Sequence, residues 1–380
     1  MTETAEETVR MGDKLKPVSQ WRYAMWPDDR IRKLFGIDLP ILQAPMGRFV
    51  SPEMVIAVSE AGGLGGLGLA NSSADKARAD LGVVRQRTSR PINANFMCHR
   101  PPSDNPARQA AWQGLLAPYY EELGVDPNAP KPMSSVYAFN QEMCDLVVEF
   151  RPEIVSFHFG LPEKNLLTQV KATGAKIISS ATTVDEARWL EAQGCDAIIA
   201  QGFEAGGHRG TFLNDDISTQ TGTMALVPQV VDAVTIPVIA AGGIADARGI
   251  VAALALGASA VQMGTAYLFC PEANVSALYR AALKKAKDNE TVLTNVVSGR
   301  PARVLVNRFV REVGPISNLA PEFPLAGIGL APLRAKSEAV GSNDFTALLS
   351  GQSAPLGREL PAGELTRRLA AEALAKLKPA

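Results

Sequence analysis

Eight short apolar segments recur along this chain, and most are followed by a segment with a helical pattern. Each apolar segment ends in glycine or a polar residue, and its hydrophobic character is nearly continuous. Strands of this kind are typical of a parallel sheet covered on both faces. Eight strand–helix units predict an α/β fold, a (β/α)8 TIM barrel. The predicted strands are residues 40–46, 63–70, 91–97, 154–160, 176–181, 197–202, 237–243 and 260–266.

The segments between the strands carry helix signals. Residues 182–194, TTVDEARWLEAQG, begin with a threonine cap and an acidic first turn and end in glycine, and residues 245–257 end in the same way. An open doubly wound sheet is the alternative fold. However, no dinucleotide fingerprint is followed by an acidic residue at the expected distance. The glycines of GGLGGLG at 62–68 are a weak match by themselves.

Breaks in this alternation predict the domain organisation. The first 35 residues lack periodicity and are expected to form an extension packed through Trp21, Tyr23 and Trp26. An insertion at about 99–140 should carry one amphipathic helix over the end of the third strand. After the eighth strand, helical patterns predict a smaller, mainly helical second domain that closes over the barrel mouth. The predicted boundaries are 1–35 for the extension, 36–270 for the barrel, 271–356 for the helical domain and 357–380 for a C-terminal helix.

Charge and cysteine content argue against several classes of function. The net charge of −1 leaves no basic excess for a nucleic-acid partner. The four cysteines form no CxxC pair and no two histidines have metal-ligand spacing, so neither a disulfide framework nor a metal is expected. The most apolar run, 249–269, is split by Gly257 and Ser259, which argues against a membrane span. We therefore expect a soluble cytoplasmic protein without a membrane partner.

Small residues follow the seventh and eighth predicted strands. Gly242 and Gly243 lie just before a helix, and Gly264 and Thr265 follow the last strand. Loops at these two positions form the usual phosphate site of a TIM barrel, because backbone N–H groups and a helix terminus favour an anion there. The alternative is that these glycines only form tight turns.

The other strand ends are neutral and rich in amides. Ala44, Pro45 and Met46 follow the first strand, Asn93 and Asn95 lie on the third, and Gln201 ends the sixth. An uncharged, amide-rich ring with a phosphate anchor suits the isoalloxazine and ribityl chain of FMN.

His208 lies among glycines in QGFEAGGHRGTF, residues 201–212, after the sixth strand. Histidine exchanges protons near neutral pH, and His208, after the sixth strand, should face the cavity. A catalytic role is therefore favoured over a structural one. His158 in SFHFG could be either a buried core residue or a functional one, and His99 is expected to be peripheral. In the predicted helical domain, Ser298 and Arg300 are the most suggestive polar residues, although Arg300 is expected in a solvated loop.

These motifs together resemble class I nitronate monooxygenase, formerly called 2-nitropropane dioxygenase, over residues 36–356. EAGGHRG after a strand is the most specific of them. AGGH alone is shared with flavin-dependent enoyl and quinone reductases of the same barrel. The motifs are QAPM, NANFMCH, FHFGLP, QGFEAGGHRG, IAAGGI, QMGTAYL and SGRPAR.

The resemblance implies an FMN-dependent enzyme that oxidises alkyl nitronates, such as propionate 3-nitronate, with O2 to a carbonyl compound and nitrite. It places the family's histidine on His208. Two alternatives stay open: an NAD(P)H-dependent reductase of quinones or enoyl thioesters, and a non-catalytic or lyase barrel that binds a phosphate metabolite. From the strand ends and the resemblance together, the expected cofactor-binding residues are Ala44, Pro45, Met46, Asn95, Gln201, Gly206, Gly207, Gly242, Gly243, Gln262, Met263, Gly264 and Thr265.

Overall fold

The computed structural model describes residues 25–128 and 136–378. Trp21 and Tyr23, which we expected to pack the N-terminal extension, lie outside the described residues. Trp26 is described and is 7% exposed.

All eight predicted strands are present, and they form one parallel sheet. The sheet closes where the first strand meets the second, through a parallel bridge between Leu42 and Leu64. The (β/α)8 barrel is therefore confirmed. A two-residue strand, Gly207–His208 (β7), lies outside this sheet, so the seventh and eighth barrel strands are Val238–Ala241 (β8) and Ala260–Met263 (β9). The strands are Ile41–Gln43 (β1), Gly65–Gly68 (β2), Ile92–Met97 (β3), Ile154–His158 (β4), Lys176–Ala181 (β5), Ala197–Gln201 (β6), Gly207–His208 (β7), Val238–Ala241 (β8), Ala260–Met263 (β9), Thr291–Thr294 (β10) and Ala302–Leu305 (β11).

Helices cover the outside of the barrel and build the region above it. Thr183 begins the helix after β5, as the threonine cap predicted, because its side chain accepts a hydrogen bond from the N–H of Glu186. The helices are Arg30–Phe35 (α1), Pro52–Glu60 (α2), Ala74–Arg87 (α3), Pro106–Glu122 (α4), Gln141–Phe150 (α5), Lys164–Ala172 (α6), Val184–Ala192 (α7), Thr223–Ala233 (α8), Ala247–Ala255 (α9), Ala277–Lys285 (α10), Arg308–Val313 (α11), Leu325–Ala339 (α12) and Ala362–Leu377 (α13).

The last helix completes the outer ring of the barrel. α13 packs against both α9 and α2, the position that a helix directly after the eighth strand would take. The residues between β9 and α13 therefore leave the barrel and return to it before the ring is closed.

The barrel interior is filled by apolar side chains that alternate along the strands, such as Leu42, Ile178 and Ile239. Ile31 and Phe35 of α1 join this cluster, so the last part of the predicted extension packs against the barrel itself. The opposite faces of the strands pack against the ring helices.

A separate core stabilises the region that follows the barrel. Val304 of β11, Phe309 of α11 and Leu330 of α12 share one cluster with Trp112 and Leu116 of α4. In the described residues of the predicted insertion, 99–128 and 136–140, the helix α4 packs on the second region. The antiparallel pair β10–β11 within that region was not predicted.

We predict that Leu369→Ala in α13 lowers the free energy of unfolding by about 2–5 kcal/mol, because Leu369 is fully buried and its truncation leaves a cavity. Urea unfolding measures this loss. Arg368→Ala, one residue away, is the matched control: it removes only an exposed pair with Glu364, worth about 0.3–0.5 kcal/mol. Equal losses in the two variants would contradict the packing of α13 as a barrel helix.

Candidate active site

A cavity of about 450 Å³ opens at the carboxyl ends of the barrel strands. This volume lies in the range of roughly 300–1,000 Å³ that small-molecule and cofactor sites occupy. All but one of the expected site residues line it: Ala44, Pro45, Met46, Asn95, Gln201, Gly206, Gly207, His208, Gly242, Gly243, Gln262, Gly264 and Thr265.

Met263 is the exception, and its assignment as a cofactor contact needs correction. Successive side chains of a strand point to opposite faces, so Gln262 faces the cavity while Met263 faces the ring helices. Met263 is 1% exposed and belongs to the outer core. The resemblance implied the whole segment from Gln262 to Thr265, but strand alternation turns the Met263 side chain away from the cavity.

Side chains hold the loop after β6 in place through hydrogen bonds to backbone carbonyls. The Gln201 side chain donates to the carbonyl of His208 at 3.0 Å, and Nε2 of His158 lies 3.2 Å from the same oxygen. Since a carbonyl only accepts, His158 carries its proton on Nε2. The buried Arg209 guanidinium donates to the carbonyls of Gln201 and Gly202 at 2.7 and 2.6 Å. These contacts hold the backbone of His208 and the side chain of Arg209 against the end of β6.

Glycine is required at position 206 because another segment passes close to it. A Cβ on Gly206 would lie 2.4 Å from the nitrogen of Gly351 and 2.6 Å from the carbonyl carbon of Ser350. The chain from the second region therefore rests directly on this loop.

His208 itself lies on a strand that joins the barrel to the second region. Gly207 pairs with Arg303 and His208 with Ala302, in antiparallel register with β11. The candidate catalytic residue is thus positioned by both parts of the fold.

The imidazole of His208 is surrounded by one hydroxyl and two aromatic rings. Its Nε2 lies 2.9 Å from Oγ of Ser298. Phe323 contacts it edge-on with ring centres 5.1 Å apart, and Phe159 does so at 6.1 Å. An apolar surround of this kind disfavours a charged imidazolium.

Burial, together with the positive charge of Arg300 and of His158 and His99 in their protonated forms, lowers the pKa of His208 to about 3. Burial likewise lowers the pKa of His158 to about 4 and that of His99 to about 4. All three imidazoles are therefore neutral near pH 7, so His208 is available to accept a proton.

Two residues, His99 and Arg300, lie closer to this site than we expected. His99 is 9% exposed, and its ring contacts Phe323, which lies just before α12, edge-on at 5.0 Å. The expectation that it is peripheral was wrong. Arg300 is not in a solvated loop: its guanidinium lies 4.2 Å from the centre of the Phe159 ring and binds Asp215 at 3.2 Å.

Several lining residues were missed by the sequence analysis. Ser156 in the middle of β4 and Ser180 near the end of β5 are polar residues on otherwise apolar strands, as Asn95 is on β3, and could have been found. Phe323, Pro324, Gly327, Ile328 and Ala331, in α12 and just before it, also line the cavity and carry no motif that would have shown it.

The cavity suits a bound cofactor on two observations. The buried Oε1 of Gln262 has no hydrogen-bond partner in the protein, so a bound group can supply a donor. A Cβ on Gly264 would meet only Ala44 and Met46, each at 3.6 Å, and one on Gly207 would meet nothing within 4 Å. Both glycines therefore border open space rather than packed protein.

Two features are absent from the described part of the chain. No cluster of three or more His, Cys, Asp or Glu side chains there has the arrangement of a metal site. None of the helices in residues 25–128 and 136–378 combines the length and the apolar character needed to cross a bilayer.

Comparison with known proteins gives consistent matches over most of the chain. The sequence model of the family described as nitronate monooxygenase matches residues 28–372, beyond both ends of the resemblance that the motifs indicated. A nitronate monooxygenase of Pseudomonas aeruginosa is 44% identical over 348 residues, which cover 90% of this chain and 99% of the relative. A nitronate monooxygenase of Paraburkholderia phytofirmans is 42% identical, and the match covers 89% of this chain and 93% of the relative. The crystal structure of a nitroalkane oxidase from Streptomyces ansochromogenes is 37% identical, with a TM-score of 0.83 and coverage of 91% and 98%.

The lowered histidine pKa values predict that stability falls in mild acid. Folding favours the neutral form of His99, so its contribution is fully present above its unfolded pKa of 6.5 and is lost as the pH falls from 6.5 toward 4. This amounts to about 2 kcal/mol between pH 7 and pH 5. Urea unfolding measures the free energy of unfolding at the two pH values. Its fall from pH 7 to pH 5 should be smaller by about this amount in His99→Gln than in the wild type, because glutamine cannot take up the proton. An equal drop in both proteins would mean that His99 is protonated in the folded state.

Proposed function

Because this chain belongs to the nitronate monooxygenase family, we propose that it oxidises alkyl nitronates, such as propionate 3-nitronate, with O2 to a carbonyl compound and nitrite, using FMN bound in the cavity beside His208. The observation that carries this proposal is a neutral histidine facing the same cavity as the two glycine loops after β8 and β9. The three relatives described above match nearly the whole chain and are named for nitronates or nitroalkanes, which favours this reaction over the reductase and the phosphate-binding barrel.

The residues that would hold FMN through its phosphate, ribityl chain and ring amides come from the ends of β3, β8 and β9. The loops with Gly243 and Thr265 provide backbone for the phosphate, as TIM barrels commonly do after their last two strands. Gln262, whose buried Oε1 lacks a protein partner, and Asn95 offer amides to the flavin ring and the ribityl chain. When bound, FMN supplies the electron transfer from nitronate to oxygen.

His208 provides the proton acceptor. The hydroxyl of Ser298 donates to the carbonyl of Arg300 at 3.2 Å, so its oxygen is left to accept from Nε2–H of His208 at 2.9 Å. This leaves Nδ1 with a free lone pair, which can take the α-proton of a neutral nitroalkane. The negative charge that develops on the nitronate then favours the imidazolium and raises the low pKa during the step.

The region between β9 and α13 controls access to this chemistry. Phe323, Ile328 and Ala331 present apolar surface to the cavity, opposite the barrel strands. They exclude water from the reacting carbon and restrict the size of the alkyl chain.

The reaction takes place in the cytoplasm in this proposal. All four cysteines are free thiols, and three of them are buried in the core. Unpaired cysteines are typical of a reducing compartment.

Gly243→Val is predicted to lose FMN. Gly243 has a φ of 70°, which valine adopts only with strain, and its side chain would enter the loop that meets the phosphate. Flavin absorbance of the purified variant relative to protein measures the loss, and circular dichroism checks the fold. Gly82→Val is the matched control, since a Cβ there meets nothing within 4 Å. A folded Gly243→Val protein with full FMN content would show that the phosphate binds elsewhere.

His208→Asn is predicted to keep FMN but to lose turnover of neutral nitroalkanes. Asparagine keeps a hydrogen-bonding side chain that does not titrate near neutral pH, and loss of a general base typically costs ~10²–10⁴-fold. The measurement is kcat/KM for nitroethane and for ethyl nitronate, which has already lost the proton.

The pair of substrates separates the possible roles of His208. A loss confined to nitroethane supports proton abstraction, whereas equal losses on both substrates would show that His208 binds the anion. Wild-type rates on both would remove it from catalysis. Anaerobic flavin bleaching by NADPH in the wild type would instead favour the reductase.

A further inference from the structure

Residues 298–300 form a turn beside the His208 imidazole. The first of them, Ser298, provides the hydroxyl that lies 2.9 Å from Nε2 of His208. The second, Gly299, packs on the segment that carries Phe323, since a Cβ on Gly299 would lie 2.6 Å from the nitrogen of Phe323. Two of the three side chains that surround the imidazole are therefore held by the first two residues of the turn.

The third side chain, the Phe159 ring, is covered by Arg300. The guanidinium carbon of Arg300 lies over this ring, 4.2 Å from its centre. The same guanidinium donates to the carbonyl and to the hydroxyl of Thr211, and it pairs with Asp215 at 3.2 Å. Within residues 25–128 and 136–378 its buried Nε has no hydrogen-bond partner. A largely desolvated guanidinium gains more from an aromatic face than an exposed one does.

Phe159 needs support because its backbone is strained. Its φ of 69° lies in the left-handed region, which a bulky side chain rarely adopts. Its ring centre lies 6.1 Å from that of His208 and 4.5 Å from that of His158. Strained residues at functional sites persist only where the surrounding contacts hold them, and the stacked guanidinium supplies such a contact.

Arg300 lies behind the catalytic histidine rather than in the cavity. Arg300 and Phe159 are both absent from the described lining of the cavity, whereas His208 is part of it. Burial is the largest cause of the low pKa of His208, and the charge of Arg300 contributes to it, which agrees with a short separation. Any effect of Arg300 on the reaction is therefore transmitted through His208.

We propose that Arg300 is a positioning residue for His208, which it holds in the orientation that leaves Nδ1 free. Its side chain presses Phe159 toward the imidazole, and its carbonyl accepts the hydroxyl of Ser298 at 3.2 Å. We call this arrangement the Arg300 clamp. A base fixed in one orientation meets the α-carbon of a nitroalkane more often than a mobile base does. This inference rests on the proposed role of His208 as proton acceptor.

Two substrates test the Arg300 clamp. Arg300→Gln should lower kcat for nitroethane by about 10- to 100-fold, the effect of a misplaced catalytic group. Its kcat for ethyl nitronate, which has already lost the proton, should change less than about threefold. Arg300→Lys keeps the charge but not the planar group that stacks on the ring, so it should resemble Arg300→Gln.

Two further variants complete the kinetic test. Phe159→Leu removes the aromatic face and keeps Arg300, so it should show the same difference between the substrates. Arg308→Gln is the matched control, because Arg308 also lies near an aromatic ring, 5.6 Å from the centre of Tyr119, and pairs with Glu122 at 2.6 Å. Arg308 is not among the residues that line the cavity, and its loss should change neither kcat.

Three kinetic results would overturn the clamp. Equal losses on both substrates, or loss of flavin, would mean that Arg300 supports the fold or the cofactor rather than the base. Wild-type kcat in Arg300→Lys would mean that charge matters and stacking does not. Wild-type kcat for nitroethane in Phe159→Leu would mean that the ring does not position His208.

A spectroscopic measurement separates the clamp from the reaction itself. The chain has three histidines, so NMR of the isotope-labelled imidazole nitrogens gives few signals, and those of His208 are the ones missing from His208→Asn. In the flavin-loaded wild type and in Arg308→Gln, His208 should show one tautomer with its proton on Nε2. In Arg300→Gln both tautomers should be populated.

The combined outcomes distinguish the two proposals. If the wild type oxidises neither substrate but Arg300→Gln loses the single tautomer, the clamp stands and nitronate oxidation is wrong. If the wild type oxidises nitroethane, and Arg300→Gln keeps both the single tautomer and the wild-type kcat, the clamp is wrong.

Discussion

The short pairing of β7 with β11 is the interaction on which the site depends. It joins two residues of the loop after β6 to the second region, with His208 opposite Ala302. From the barrel side, the same carbonyl of His208 is bonded by Gln201 and faces Nε2 of His158. A loop alone would leave a histidine mobile, whereas backbone bonds from two separate cores fix its position and direction. The second region therefore builds the site as well as covering it.

Desolvation decides the charges at this site. The ordinary pKa of histidine lies close to neutrality, so burial is enough to keep His99, His158 and His208 uncharged. The ordinary pKa of arginine is much higher than that of histidine. Burial lowers the pKa of Arg209 to about 10, and the side chain still keeps its proton at pH 7. The result is a neutral base among fixed positive charges, an arrangement that favours anionic substrates.

Much of the fold followed from local patterns. Continuous apolar strands, a helix cap such as Thr183 and small residues after the last two strands are properties of neighbouring residues, and they predict a barrel and its functional end. Residues at strand ends, such as Gln201, could be assigned to the cavity because the topology of a TIM barrel brings all these ends together. Where strand alternation was not applied, the assignment failed, as at Met263.

By itself the sequence determined the eight strand–helix units, the two glycine loops after β8 and β9 and the histidine after β6, because each depends on short-range periodicity or on residue type. Only the tertiary structure decided which distant residues meet them. The contact of Ser298 with His208 spans 90 positions along the chain, and no local pattern encodes it. The same holds for the burial of Arg300 on Phe159. Such contacts arise from how the second region docks on the barrel, which depends on two cores packing against each other rather than on either segment alone.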